Sequence, residues 1–138
     1  MKQKIAAHLF PLSFVVGAAY WLLSPVLFGR YEPWDYSLPL YWAVMSVAGL
    51  VLGLLGGRHS WVGIAGLYAG QCLILYVRPA PNQMETAPLH FVLLILAIHT
   101  SPAVLAASVG WLVKKAIDRR GRPNKTDPPD AASASPEV

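Results

Sequence analysis

The sequence predicts an all-α polytopic integral membrane protein, in which four transmembrane helices form an antiparallel bundle. Of the 138 residues, 13% are charged and 55% are hydrophobic, whereas about 25% charged residues are usual in soluble domains. The apolar residues form four blocks at about 8–28, 38–57, 61–77 and 89–113, each close to the ~20 residues that cross a bilayer as a helix. Basic residues flank these blocks, as they do in oriented membrane proteins. We expect a transmembrane domain over residues 1–117.

The first block follows Lys2 and Lys4, a pattern shared by signal peptides and uncleaved first spans. The length of the block favours a span that is retained. Pro11 is expected in the first helical turn, where a missing backbone N–H costs least. Pro25 is expected to kink or end the helix near its far end.

The first loop, residues 29–37, is rich in aromatic and charged side chains. We interpret it as an aromatic belt at headgroup depth with solvated charges. The alternative is an outer recognition surface made by Glu32, Trp34 and Asp35, in which Pro33 holds the indole between two carboxylates. Nothing in a wet loop would separate the pKa values of these acids, so we do not expect catalysis from them.

Glycines at four-residue intervals mark the second and third blocks. Small residues let membrane helices approach closely, so these positions predict helix-packing faces: Gly49, Gly53 and Gly57 in the second block, Gly66 and Gly70 in the third. The connection over residues 58–60 is short, which predicts that the two helices are antiparallel neighbours. The glycine faces would then pack within one chain or between chains.

The fourth block follows a loop over residues 78–88 that contains three prolines. Pro102 interrupts this block and is expected to kink the helix, with Thr100 or Ser101 bonding the freed carbonyl. Composition changes abruptly after the block. Residues 118–138 contain few large apolar side chains, and we expect a disordered cytoplasmic tail.

The distribution of positive charge predicts the orientation. If four spans alternate, the only basic residues on one side of the membrane are Arg30 and Arg78. The other side carries Lys2, Lys4, Arg58, Lys114, Lys115, Arg119, Arg120 and Arg122. The positive-inside rule then places both ends of the chain in the cytoplasm. Orientation alone accounts for the last basic cluster, and contact with anionic lipid is the alternative.

Polar side chains inside the spans are few, and none is Asp, Glu, Lys or Arg. Gln71 and His99 are the candidate intramembrane polar site. They would form an interhelical hydrogen bond, or His99, whose side chain changes charge near neutral pH, would accept protons or bind a ligand. The four histidines lack the spacing of a metal site. Cys72 is the only cysteine. We expect no metal, no cofactor and no enzymatic activity.

One short motif supports a resemblance. With Glu32-Pro33-Trp34-Asp35 after a first span and Gly70-Gln71 in a third, residues 1–117 resemble small four-span proteins of the bacterial inner membrane. That resemblance implies a location but no activity. Four-span multidrug transporters carry an acid in their first span, and this chain has none there.

These observations predict a structural or accessory subunit that packs through its glycine faces against a second copy or a larger membrane complex. The alternative is a small oligomeric transporter or channel with Gln71 and His99 lining its path. The expected partners are the lipid bilayer and other membrane subunits, with no role for nucleic acid, because the basic residues are explained by membrane orientation.

Overall fold

A computed structural model describes residues 2–78 and 88–120, and all regular structure within these ranges is helical. The long helices are α1 (Lys2–Phe28), α3 (Leu38–Gly56), α4 (Ser60–Val77) and α5 (Leu89–Arg120). A one-turn helix, α2 (Pro33–Tyr36), follows α1, and a 3-10 turn (Gly57–His59) joins α3 to α4. The all-α class predicted from the sequence is confirmed.

Three segments are long and apolar enough to cross a membrane: Ala7–Phe28, Leu38–Val77 and His90–Arg120. The middle segment has 40 residues and contains both α3 and α4. Gly57 separates these two helices with a φ of 56°, a backbone conformation that favours glycine. The chain therefore has the helices of a multi-pass membrane protein.

The long helices pack most extensively as two pairs, α1 with α4 and α3 with α5. In the first pair, Phe10 lies against Gly66 and Phe14 lies against Gly70. Residue numbers rise together along this contact, so α1 and α4 run in the same direction.

The second pair is also parallel, because Gly49 lies against Ala103 and Gly53 lies against Ala107. Helices α3 and α4, in contrast, are antiparallel. The tightest contacts of the bundle thus join parallel helices, which differs from a bundle whose close neighbours are all antiparallel. Short connections fix the direction of consecutive helices, but they do not decide which helices pack together.

Two clusters of buried side chains join the helix pairs. The first contains Tyr41, Met45, Leu67 and Ala103. The second contains Trp21, Leu75 and Leu96. Every long helix contributes to this core.

The bundle has two ends, which we name by their connections. The turn end carries the Gly57–His59 turn, with Leu9 of α1 and Lys114 of α5 beside it. The loop end carries Tyr31 to Tyr36, where the Tyr36 ring stacks on Phe28 with centroids 5.1 Å apart. Arg78, at the end of α4, also lies at the loop end, with its guanidinium 5.5 Å from the Tyr31 ring centroid.

Pro11 occupies a position in α1 that differs from expectation, whereas Pro25 lies near the far end as expected. The helix begins at Lys2, so Pro11 lies in its interior and not in its first turn. Pro25 does not end the helix, which continues to Phe28. A third proline, Pro33, starts α2 in a segment predicted as a loop, since its fixed φ suits the first position of a helix.

Helix α5 is continuous through Pro102 and reaches Arg120. The Thr100 hydroxyl donates to the Leu96 carbonyl over 2.8 Å, whereas the carbonyl that loses its donor to Pro102 is that of Ile98. The helix extends into the segment expected to be disordered, because residues 114–120 are mostly good helix formers. The rest of that segment, residues 121–138, lies outside the described residues.

The outer surface of the bundle is apolar. Exposed fractions reach 81% for Val26, 70% for Leu105 and 67% for Val77. Soluble monomers rarely expose large contiguous patches of such side chains. A hydrocarbon solvent is what this surface fits.

Candidate functional site

A buried hydrogen-bond cluster surrounds Gln71, which is fully buried in the middle of the bundle. Its Oε1 accepts from the Trp21 indole Nε1 over 3.0 Å and from the Tyr41 hydroxyl over 2.6 Å. Its Nε2 donates to Met45 Sδ over 3.7 Å. One amide thus connects α1, α3 and α4.

The local sequence explains how Tyr41 reaches this amide. Ser37 precedes α3 in extended backbone, and its hydroxyl accepts from the Leu40 N–H over 3.4 Å as an N-cap. Tyr41 follows in the first turns of α3 and is fully buried. The cap residue lies four residues before Tyr41, whose phenol reaches Gln71 on α4.

His99, the second predicted polar residue, lies beside this cluster on α5. Its Nδ1 is 2.8 Å from the Ile95 carbonyl oxygen. A carbonyl only accepts, so this nitrogen carries the proton. The imidazole is 6.2 Å from the Tyr41 ring, edge to face. Tyr41 thus connects the two residues that the sequence paired directly.

The cluster is internally satisfied. Across residues 2–78 and 88–120, every buried side-chain nitrogen or oxygen has a hydrogen-bond partner. The same part of the chain shows no group of three His, Cys, Asp or Glu side chains placed to hold a metal ion. The arrangement can fix helices relative to one another.

Comparison with known proteins adds no relative: no protein-family model, curated protein or solved structure matches the chain. What the sites do is therefore inferred from their geometry.

The predicted glycine rows of α3 and α4 face α5 and α1 and not each other. A Cβ at Gly49 or Gly53 would overlap the carbonyl oxygen of Ala103 or Ala107 on α5. At Gly66 and Gly70, a Cβ would likewise overlap the carbonyl oxygens of Phe10 and Phe14 on α1. Both rows are thus occupied inside the chain, whereas Gly57 serves the turn.

Two glycines that sequence reasoning missed complete these crossings. Gly17 lies against the Leu67 carbonyl, and Gly110 lies against the Leu50 carbonyl. The α5 face could have been predicted from its small residues at four-residue spacing, which are Ala103-xxx-Ala107 and Ala106-xxx-Gly110.

The outer-loop surface predicted from the sequence is only partly exposed. Asp35 is exposed, but Glu32 is 7% exposed and Pro33 is fully buried. Glu32 precedes α2, and its carbonyl accepts from the Asp35 N–H over 3.1 Å. Helix formation therefore turns one of the two acids inward. The side chain of Trp34 lies outside what the structure describes.

The turn end is basic. The Lys114 Nζ donates to the Leu55 carbonyl over 2.9 Å and so closes the end of α3. Lys115 lies over the Trp111 ring, with Nζ 5.4 Å from the centroid. Arg58 Nε donates to His59 Nε2 over 3.1 Å.

An open apolar groove of about 400 Å³ runs along the side of the bundle. Its lining comes from α1, α4 and α5 and comprises Phe14, Ala69, Cys72, Leu73, Leu75, Tyr76 and Leu93. None of these lining residues makes a hydrogen bond to Gln71, and most of them are apolar.

Proposed function

We propose that the chain is a four-span protein of the bacterial inner membrane, with its turn end in the cytoplasm, and that it serves as a structural or accessory subunit. The observation that carries this proposal is the closure of the Gln71 cluster. A polar group that binds or conducts a substrate needs a free hydrogen-bonding position facing a path, and the amide here bonds three neighbours of the same bundle.

Helix direction supports four crossings. Chains that alternate sides place their first and third spans parallel, and likewise their second and fourth. The pairs α1 with α4 and α3 with α5 have this relation. The Gly57–His59 turn then reverses the chain inside the 40-residue apolar segment Leu38–Val77.

Charge supports the orientation. Arg58, Lys114 and Lys115 lie at the turn end, and α5 continues from there into Arg119 and Arg120. The loop end carries Arg30 and Arg78 together with Glu32 and Asp35. An excess of Lys and Arg marks the cytoplasmic side.

The partner of such a subunit would be a second copy or a larger membrane complex, because the exterior of the helices is apolar. The glycine rows already contact other helices of the same chain. Association would therefore use the exposed apolar side chains of the helices.

A small oligomeric transporter is the second candidate, since His99 is partly exposed beside Tyr41. The two functions differ in what His99→Ala does. One measurement is the flux of protons that a pH gradient drives across vesicles reconstituted with the full chain. The other is the mass of the assembly that the chain forms in mild detergent. Ser108→Ala is the matched control, because Ser108 also bonds the carbonyl four residues before it on α5.

For a structural subunit, we expect an assembly of defined stoichiometry and no flux that depends on His99. A monomer in mild detergent, together with a flux that His99→Ala abolishes and Ser108→Ala preserves, would replace this proposal by the transporter.

A further inference from the structure

The turn end of α5 carries three side chains that share one helix face. Trp111, Lys115 and Arg119 follow at four-residue intervals, and residues so spaced are surface neighbours on a helix. Lys115 Nζ lies 5.4 Å from the Trp111 ring centroid. All three side chains are exposed. We call them the Trp111 row.

Depth decides what the row meets. At 1.5 Å per residue, four residues span about 6 Å along the helix. If the Trp111 indole lies at the edge of the hydrocarbon, as aromatic belts do, the Lys115 backbone lies about 6 Å further out. That distance falls within the polar layer, which adds roughly 5–8 Å on each side of the core. The Lys115 Nζ lies over the indole ring, so the ammonium is at the inner boundary of that layer, where it can meet lipid phosphates.

The neighbouring basic residues are not equivalent. Lys114 points to α3, where its ammonium is bound to the Leu55 carbonyl. Lys115 is exposed, and its ammonium lies over the Trp111 indole, which holds it in place. Residues 114–120 include four cations and one acid, the exposed Asp118, so this end of α5 is strongly positive.

We propose that the Trp111 row binds the headgroup of an anionic phospholipid of the cytoplasmic leaflet, with Lys115 contacting the phosphate and Arg119 the outer part of the headgroup. This inference rests on the proposed membrane orientation, and it adds a lipid class to it. Each Lys or Arg near an anionic surface contributes about 1 kcal/mol, a factor of about five in affinity.

The loop end offers a matched control. Arg78 is an exposed cation over an aromatic ring, Tyr31, at 5.5 Å, which closely resembles the Lys115 pair. The loop end that carries it also carries Glu32 and Asp35 in the sequence that follows Tyr31, and no second cation follows it on a described helix. Arg78→Gln should therefore leave binding of anionic lipid unchanged.

The experiment is native mass spectrometry of the full chain in mild detergent, titrated with phosphatidylglycerol or phosphatidylcholine. We expect tighter binding of phosphatidylglycerol, weakened about fivefold by Lys115→Gln, kept by Lys115→Arg and unaffected by Arg78→Gln. A competing titration with inorganic phosphate should leave the lipid adducts in place.

Equal binding of the two lipids, an equal effect of Lys115→Gln and Arg78→Gln, or displacement by inorganic phosphate would overturn the inference. These results are independent of orientation, because the chain is in detergent. A failure of the proposed orientation would show itself separately, in which side of an intact cell reaches the turn end.

Discussion

At the scale of single residues, the amide of Gln71 is the polar group that joins three helices. It is fully buried, and its Oε1 satisfies two donors from different helices, the Trp21 indole and the Tyr41 phenol. A buried donor that loses its acceptor costs about 1–3 kcal/mol, although interhelical hydrogen bonds in membranes average about 0.6 kcal/mol. Gln71 therefore stabilises the bundle chiefly because its Oε1 is an acceptor that Trp21 and Tyr41 share.

We predict that Gln71→Leu lowers the free energy of unfolding by about 1–2 kcal/mol, since leucine fills similar space but accepts no hydrogen bond. Unfolding by SDS titration in mixed micelles measures this change. Ser108→Ala removes an exposed hydroxyl bonded only within α5 and should change stability by less than ~0.5 kcal/mol. Equal effects of the two substitutions would show that the cluster contributes no specific stability.

Sequence patterns located this amide but not its partners. Gln71 stands out because few polar side chains lie inside an apolar block. The sequence did not single out Tyr41 and Trp21, since hydropathy does not reveal which hydroxyl or indole N–H will meet an acceptor on another helix. The link from Gln71 to His99 through Tyr41 depends on helix pairing, which is set by three-dimensional packing.

At the scale of helices, close backbone contact defines the two pairs. Gly53 and Ala107 meet so closely that a Cβ on the glycine would overlap the alanine carbonyl. Overpacking of a well-packed contact costs about 1–3 kcal/mol or more, and here the obstacle is backbone that cannot rotate away. The pair α3 and α5 thus depends on the absence of a side chain.

We predict that Gly53→Leu forces α3 and α5 apart and lowers the free energy of unfolding by at least ~2 kcal/mol. SDS titration and protease resistance of the purified chain measure the effect. Ala43→Leu makes a comparable addition on the exposed side of the same helix and should leave both readings near those of the wild type. A tolerated Gly53→Leu would refute the close crossing.

The sequence predicted the glycine rows without predicting their targets. Spacing showed that Gly66 and Gly70 share a face, but the choice between α3 and α1 as the partner depends on how four helices fill space together. The tight Gly57 turn favoured the first, and the structure has the second. Helix α2 and the last residues of α5 also escaped prediction, because Pro33 can start a helix and the charged residues up to Arg120 can continue one.

At the scale of the whole molecule, the bundle consists of two helix pairs, and the two helices of each pair are not consecutive in the chain. The order along the chain, α1, α3, α4 and α5, contributes one early and one late helix to each pair. The two pairs cannot separate from each other without breaking hydrogen bonds of Gln71, since Trp21 belongs to one pair and Tyr41 to the other. The result is a single body with a polar interior connection and an apolar exterior, as a membrane protein requires.

The central claim is that the chain crosses the membrane four times with the turn end inside. Its most direct test is labelling of single cysteines at Asp35, Arg58 and Arg78, each in a Cys72→Ser background, by a membrane-impermeant maleimide on intact cells. We predict that the Asp35 and Arg78 positions react from outside, whereas Arg58 reacts only after the membrane is permeabilised. Asp35 and Arg78 reacting from opposite sides, or Arg58 reacting from outside, would contradict the account.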